Sequence, residues 1–149
     1  MSEPYDLDRF VTAQQPVYDT VLAELRAGRK RSHWIWFVFP QLSSLGSSPT
    51  AARYGISGAG EASAYLAHPV LGPRLRECAN LVSAIDGRSV EEIFGFPDYL
   101  KVRSSMTLFA HAAADADGAA DFSAVLRRHY QDFPDGMQDP KTVALLAES

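Results

Sequence analysis

Apolar positions recur at helical spacing along most of this chain. Val17, Val21, Leu22 and Leu25 form one stripe. Leu71, Leu75, Cys78 and Val82 form a second, with Arg74, Arg76 and Glu77 off its line, which predicts an amphipathic helix over residues 70–85. Val102, Met106, Phe109 and Ala113 make a third, and Phe122, Val125 and Leu126 a fourth. Shorter patterns stand at the ends: Leu7, Phe10 and Val11 near the start, and Val143, Leu145 and Leu146 near the close.

The residues between these stripes act as punctuation. Asp6 is a candidate cap for the first segment, and Pro16 suits the first position of a helix over residues 16–27, which Gly28 ends. Ser48 before Pro49 predicts a capped short helix; Gly55, Gly58 and Gly60 break it, and helix resumes over residues 61–67. Pro73 is tolerable within a first turn. Ser89 and Glu92 have the spacing of a capping box, which Gly95 closes. Asp98 is read as the cap of the next helix, residues 114–118 as a flexible link, residues 119–130 as helix, and Asp139-Pro140 as the opening of the last helix. The run Trp34 to Phe39 is continuously apolar, so period cannot arbitrate; its residue types favour a strand. Ser32 and Pro40 bound a short buried helix instead, and that is the expectation, since nothing else offers a strand partner. The sum is an all-α fold: one domain over residues 1–149, about seven mostly short helices around one core, with residues 1–6 frayed.

Composition supports this and removes several classes of function. With 149 residues, 46% hydrophobic and 21% charged, the chain can bury one core and is unlike a disordered chain. Trp34–Phe39 is the longest apolar run, far short of a membrane span. Residues 1–9 carry Glu3, Asp6 and Asp8 and no apolar stretch, and Cys78 is the only cysteine. A cytoplasmic protein without disulfides or membrane contact is expected. The net charge of -4 argues against a general nucleic-acid binder. Arg26, Arg29, Lys30 and Arg31 are a local exception that leaves room only for weak nucleic-acid contact.

Strong catalytic motifs are missing. No P-loop occurs, Gly58-Ala59-Gly60 lacks the rest of a dinucleotide fingerprint, and Gly55-Ile56-Ser57-Gly58-Ala59 lacks the last glycine of a nucleophile elbow. The histidines at 33, 68, 111 and 129 are scattered, so no metal or cofactor is expected. Cys78, on an apolar stripe, is expected to pack as a small hydrophobe. The most suggestive stretch is residues 30–41, which holds Lys30, Arg31, His33, Trp34, Trp36 and Gln41. Indoles offer flat faces to a ring, and cations can hold a phosphate or carboxylate. The same stretch also reads as core with a basic rim.

Longer blocks carry a resemblance. They are the string from Gly28 to Gln41 followed by Leu45, Gly46 and Ser48; then Tyr54; then Glu61 to Leu75; then Ile93-Phe94-Gly95 with Asp98, Lys101 and Ser104 to Phe109; and last Asp139, Thr142, Leu145 and Leu146. Together they resemble a bacterial family catalogued as domain of unknown function 1810, over about residues 8–147. The resemblance implies a mainly helical fold and no known activity. Members have carried the label calpastatin, a disordered inhibitor that this composition does not match.

The polar residues of these blocks supply the candidate site. Glu61, Tyr65 and His68 share one helical face by spacing, and Ser104 and Ser105 follow Lys101 by three and four residues. Glu61, His68 and Lys101 are the candidates for acid/base work or charge stabilisation. Lys30, His33, Trp34, Trp36, Gln41, Tyr54, Tyr65, Ser104 and Ser105 are the candidates for ligand contact. The expected partner is a small anionic, ring-bearing molecule such as a nucleotide, with or without turnover. The alternative is a non-enzymatic protein-interaction module in which these polar groups cap and buttress helices.

Overall fold

The computed structural model describes residues 5–113 and 115–148, with the side chain of Ala116 left aside. Among the described residues the chain forms ten α-helices and no strand. They are α1 Asp8–Gln14, α2 Tyr18–Ala27, α3 Ile35–Val38, α4 Pro49–Tyr54, α5 Ala59–Ala67, α6 Leu71–Ser83, α7 Val90–Phe94, α8 Asp98–Ala112, α9 Ala116–His129 and α10 Pro140–Glu148. Seven of them are seven residues or longer, and the rest are single turns or little more. Of the expected frayed residues 1–6, only Tyr5 and Asp6 lie within the described range. No described helix is long and apolar enough to cross a membrane.

The chain is organised around α8. Helices α5, α7, α9, α10 and α3 all pack on it, while α6 bridges α9, α5 and α2. Consequently every residue from Val102 to Phe109 is buried, polar ones included. Arg103 is 5% exposed, and it holds the turn after α9 through Asp135 and the carbonyls of Gly136, Met137 and Gln138. Phe10, Tyr65, Phe109 and Phe122 form a continuous run of ring contacts through the core, with centroids 5.1 to 6.0 Å apart.

Local chemistry explains most boundaries. Ser48 caps α4, and its Oγ accepts from Ala51 N at 3.0 Å. Ser89 and Glu92 make the full reciprocal capping box of α7. Gly28 ends α2 in the left-handed region (φ 73°), where a side chain would be strained. Asp139 caps α10, its Oδ2 accepting from Thr142 N and Oγ1.

Other boundaries differ from the expectation. Pro16 lies in the turn before α2, which starts at Tyr18 behind Val17. Leu7, without a side-chain cap, precedes α1; the carbonyl of Asp6 instead receives Arg9 Nη1. Asp115 caps α9 through Gly118 N, so the helix absorbs part of the expected link. Asp98 is the first residue of α8 and makes no cap bond. The apolar run resolves as the one-turn helix α3, started by Trp34 without a side-chain cap; Ser32 Oγ donates to Glu24 instead.

Beyond α3, residues 41–56 form a compact loop of the 3-10 turn Ser43–Leu45 and α4. One parallel bridge closes it: Ser43 N donates to Ile56 O and Ile56 N to Gln41 O, both at 2.9 Å. Gly55 permits this approach, since a Cβ there would stand 2.5 Å from Ser43 Cα. The bridge fixes the backbone of Gln41, and through it one wall of the site.

Candidate functional site: a lysine- and indole-lined cleft beside α8

Two ammonium groups share one carboxylate at the start of α8. Lys30 Nζ lies 2.8 Å from Asp98 Oδ2, and Lys101 Nζ lies 3.3 Å from Asp98 Oδ1. Lys30 reaches this point because its backbone N–H donates to Ile93 O at 2.7 Å, which ties the segment after α2 to α7. Each cation also covers an indole: Lys30 sits 5.2 Å from the Trp34 ring centre and Lys101 4.3 Å from that of Trp36. The Lys30 side chain is only 7% exposed, so the excess positive charge is largely withdrawn from water.

A cleft of about 280 Å³ opens beside this cluster. Trp36, Gln41, Leu45 and Gly46 form one wall; Pro97, Leu100, Lys101 and Ser104 of the α8 region form the floor; Asp139 and Lys141 close the far side. Ser104 Oγ has one proton to share between Leu100 O (3.1 Å) and Asp139 Oδ2 (3.0 Å), and its contact with Asp139 joins floor to far wall. Asp139 N in turn donates to Thr107 Oγ1 at 3.0 Å. Lys30 and Lys101 share Asp98, and Lys141 and Asp139 line the cleft, so these five groups carry one net positive charge. The starts of α8 and α10 add positive helix-end potential.

Comparison with known proteins decides the family. The family model described as a protein of unknown function (DUF1810) matches residues 4–146. The chain belongs to that family. A solved structure, that of the conserved hypothetical protein Rv1873 from Mycobacterium tuberculosis, is 61% identical, with a TM-score of 0.90 over 97% of this chain and 99% of its own. No curated protein matches.

Of the twelve candidates, the cleft gathers Trp36, Gln41, Lys101 and Ser104 into its lining and keeps Lys30 one carboxylate away. The others are placed elsewhere. Trp34 is 1% exposed, and its Nε1 donates to Glu24 Oε1 at 2.9 Å. Tyr65 is fully buried, its hydroxyl receiving Gln14 Nε2 at 3.1 Å. Burial pushes its phenol well above the ordinary range. Tyr54 packs on Phe10 and Phe37. Ser105 is fully buried, and its Oγ has no hydrogen-bond partner among the described residues. His33 is exposed and stands outside the cleft lining.

Glu61 and His68 also lie outside the lining, and their hydrogen bonds hold helix ends. Glu61 is 3% exposed; its Oε2 meets Arg9 Nη2 at 2.9 Å and its Oε1 accepts from Ser57 N at 2.8 Å ahead of α5. Arg9 is itself spread over the carbonyls of Arg53 and Gly55. His68 Nδ1 accepts from Val70 N and Leu71 N at 3.1 and 3.3 Å, at the entry to α6. Among the described residues no three His, Cys, Asp or Glu gather as a metal site would require.

Two residues central to this region escaped the sequence reading. Asp98 was visible as an acid before a helix, yet only the fold brings Lys30 to it. Glu24 carries no motif at all. It accepts from Arg31 N, Ser32 N, Ser32 Oγ and Trp34 Nε1, at 2.6 to 3.0 Å. Partial burial works to raise its pKa, but these bonds outweigh burial and hold the carboxyl at about 2. Glu24 thereby fixes the loop that delivers both Lys30 and α3.

A larger depression, of about 580 Å³, lies between residues 85–88 and the end of α9, lined by Arg88, Arg127, Arg128 and His129. Arg128 pairs there with Asp86, and His129 Nε2 meets Val82 O at 2.7 Å. Cations at helix C-termini offset the negative ends of those helices. None of the candidate residues lines this depression, and the smaller cleft is the better candidate.

Proposed function

We propose that the cleft beside α8 binds a small anionic molecule carrying a flat ring. The observation that carries this reading is the unequal pairing of Lys30 and Lys101 on Asp98 beneath an open cleft. Two ammonium groups on one carboxylate keep spare donors and a net positive charge, and an anion entering the cleft completes the balance. Lys101 covers one part of the Trp36 surface, while Trp36 also lines the cleft, where its indole offers a ring apolar contact. At about 280 Å³ the cleft is near the small end of ligand sites, which suits a metabolite better than a polymer.

The reading is one of binding. Glu61 and His68 are committed to helix ends, and no proton-transfer pair is assigned at the cleft. A thermal-shift screen against inorganic phosphate, phenyl phosphate, nucleoside monophosphates, NAD and sugar phosphates tests it, run beside Lys101→Ala and Lys141→Ala. A ligand at about 100 times its Kd adds about 2.7 kcal/mol to the folded state. A midpoint rise in the native protein that shrinks in both variants supports the site; no rise with any anion overturns it. In that event the interaction module gains weight, because Phe96 stands 79% exposed and Leu100 36% exposed at the start of α8.

A further inference from the structure

Gln41 is a mostly buried side chain whose amide, in the lining of the cleft, has no protein partner among the described residues. As a residue it is 8% exposed; its carboxamide makes no hydrogen bond among the described residues, and its amide atoms keep contact with solvent. An amide that no protein group engages is met by water in the free protein and is open to a ligand that displaces that water. Its backbone is held firmly, with the carbonyl taken by Ile56 N in the parallel bridge. The side chain lines the same cleft as Trp36 and Lys101.

A carboxamide presents one acceptor and a two-proton donor side by side. Its natural complement is an edge with a donor next to an acceptor, as on a nucleobase, which a glutamine meets with two hydrogen bonds. A sugar phosphate or a simple aryl phosphate has no such planar edge. Resting on the reading of the cleft as an anion site, we infer that Gln41 is its specificity residue and that the ligand class is a nucleobase joined to a phosphate. The base edge meets Gln41, its face meets Trp36, and the phosphate meets Lys101 and Lys141. A site whose polar group is left unpaired by a poorer ligand discriminates strongly against that ligand.

Titration calorimetry with AMP, GMP, CMP and UMP, and with ribose 5-phosphate and phenyl phosphate as base-free probes, separates the claims. The expected result is that at least one nucleotide binds about tenfold or more tighter than both base-free probes. Gln41→Met keeps the length of the side chain and removes both hydrogen bonds. It should lower the affinity for that nucleotide about tenfold or more while leaving phenyl phosphate within about twofold, which also reports that the cleft is intact. Base-free phosphates binding as tightly as every nucleotide would overturn the role of Gln41 and leave the anion site standing. Equal nucleotide affinity in Gln41→Met would do the same. Failure of all six probes would overturn both readings.

Discussion

Replacing Glu24 by glutamine tests whether a single carboxylate organises the loop that feeds the cleft. Glutamine is nearly isosteric. Its Oε1 can keep the three N–H donors of Arg31, Ser32 and Trp34, and the Ser32 hydroxyl can turn to accept from the new amide. The charge is then the principal loss. The carboxyl drops from an ordinary 4.5 to about 2 on folding. At about 1.4 kcal/mol for each tenfold change, that drop bounds the charge contribution at about 3 kcal/mol. Partial exposure of the carboxylate brings the expected figure to about 2 kcal/mol. Because the folded pKa is depressed, this stability is complete above pH 4.5 and lost as the pH falls toward 2. Urea unfolding of both proteins at pH 7, 5, 4 and 3 measures it. The native protein should exceed Glu24→Gln by about 2 kcal/mol at pH 7, and the gap should close as the solution is acidified. Parallel stability curves, or equal stability at pH 7, would refute the assignment.

Three further outcomes follow from packing and capping. His68→Ala removes the acceptor for Val70 N and Leu71 N and should cost about 1 kcal/mol in chemical denaturation, with the fold retained. Gly72→Ala places a Cβ 2.2 Å from Leu66 O, a backbone atom that cannot turn aside, and should lower stability by about 3 kcal/mol, read as a falling Tm. Cys78 is fully buried, and burial pushes its thiol up to about 12. Its labelling by a thiol reagent at pH 8 should therefore follow the rate of opening, with a fast native-state reaction as the contrary result.

Sequence pattern captured the parts of this fold that depend on neighbours along the chain. The stripe of α6, the serine caps of α4 and α7, and the Asp139–Pro140 start of α10 all rest on contacts a few residues apart. Helix α8 shows where that logic stops. Its stripe of Val102, Met106 and Phe109 is real, but helices surround it, so Arg103, Ser104, Ser105 and Thr107 are buried too. Periodicity describes a helix with one buried face, and α8 has several. Trp34 and Trp36 make the same point at the site. Two residues apart in one motif, they divide between core and cleft, because Glu24 of α2 captures the first indole and Lys101 of α8 covers the second. Asp98 was expected to cap α8, yet it makes no cap bond and its carboxylate answers to Lys30, a partner set by the fold.

The far wall of the cleft has a consequence for the order in which the site comes into being. Trp36 and Gln41 are made early, the floor of α8 later, and Asp139 and Lys141 last, with a helix whose only fully buried side chain is Thr142. A chain growing from its N-terminus can assemble the central core before α10 exists. The pocket then stands open on one side until Asp139 reaches Ser104. The proposed anion is then held only once Asp139 and Lys141 have docked, so its binding would report that α10 is in place.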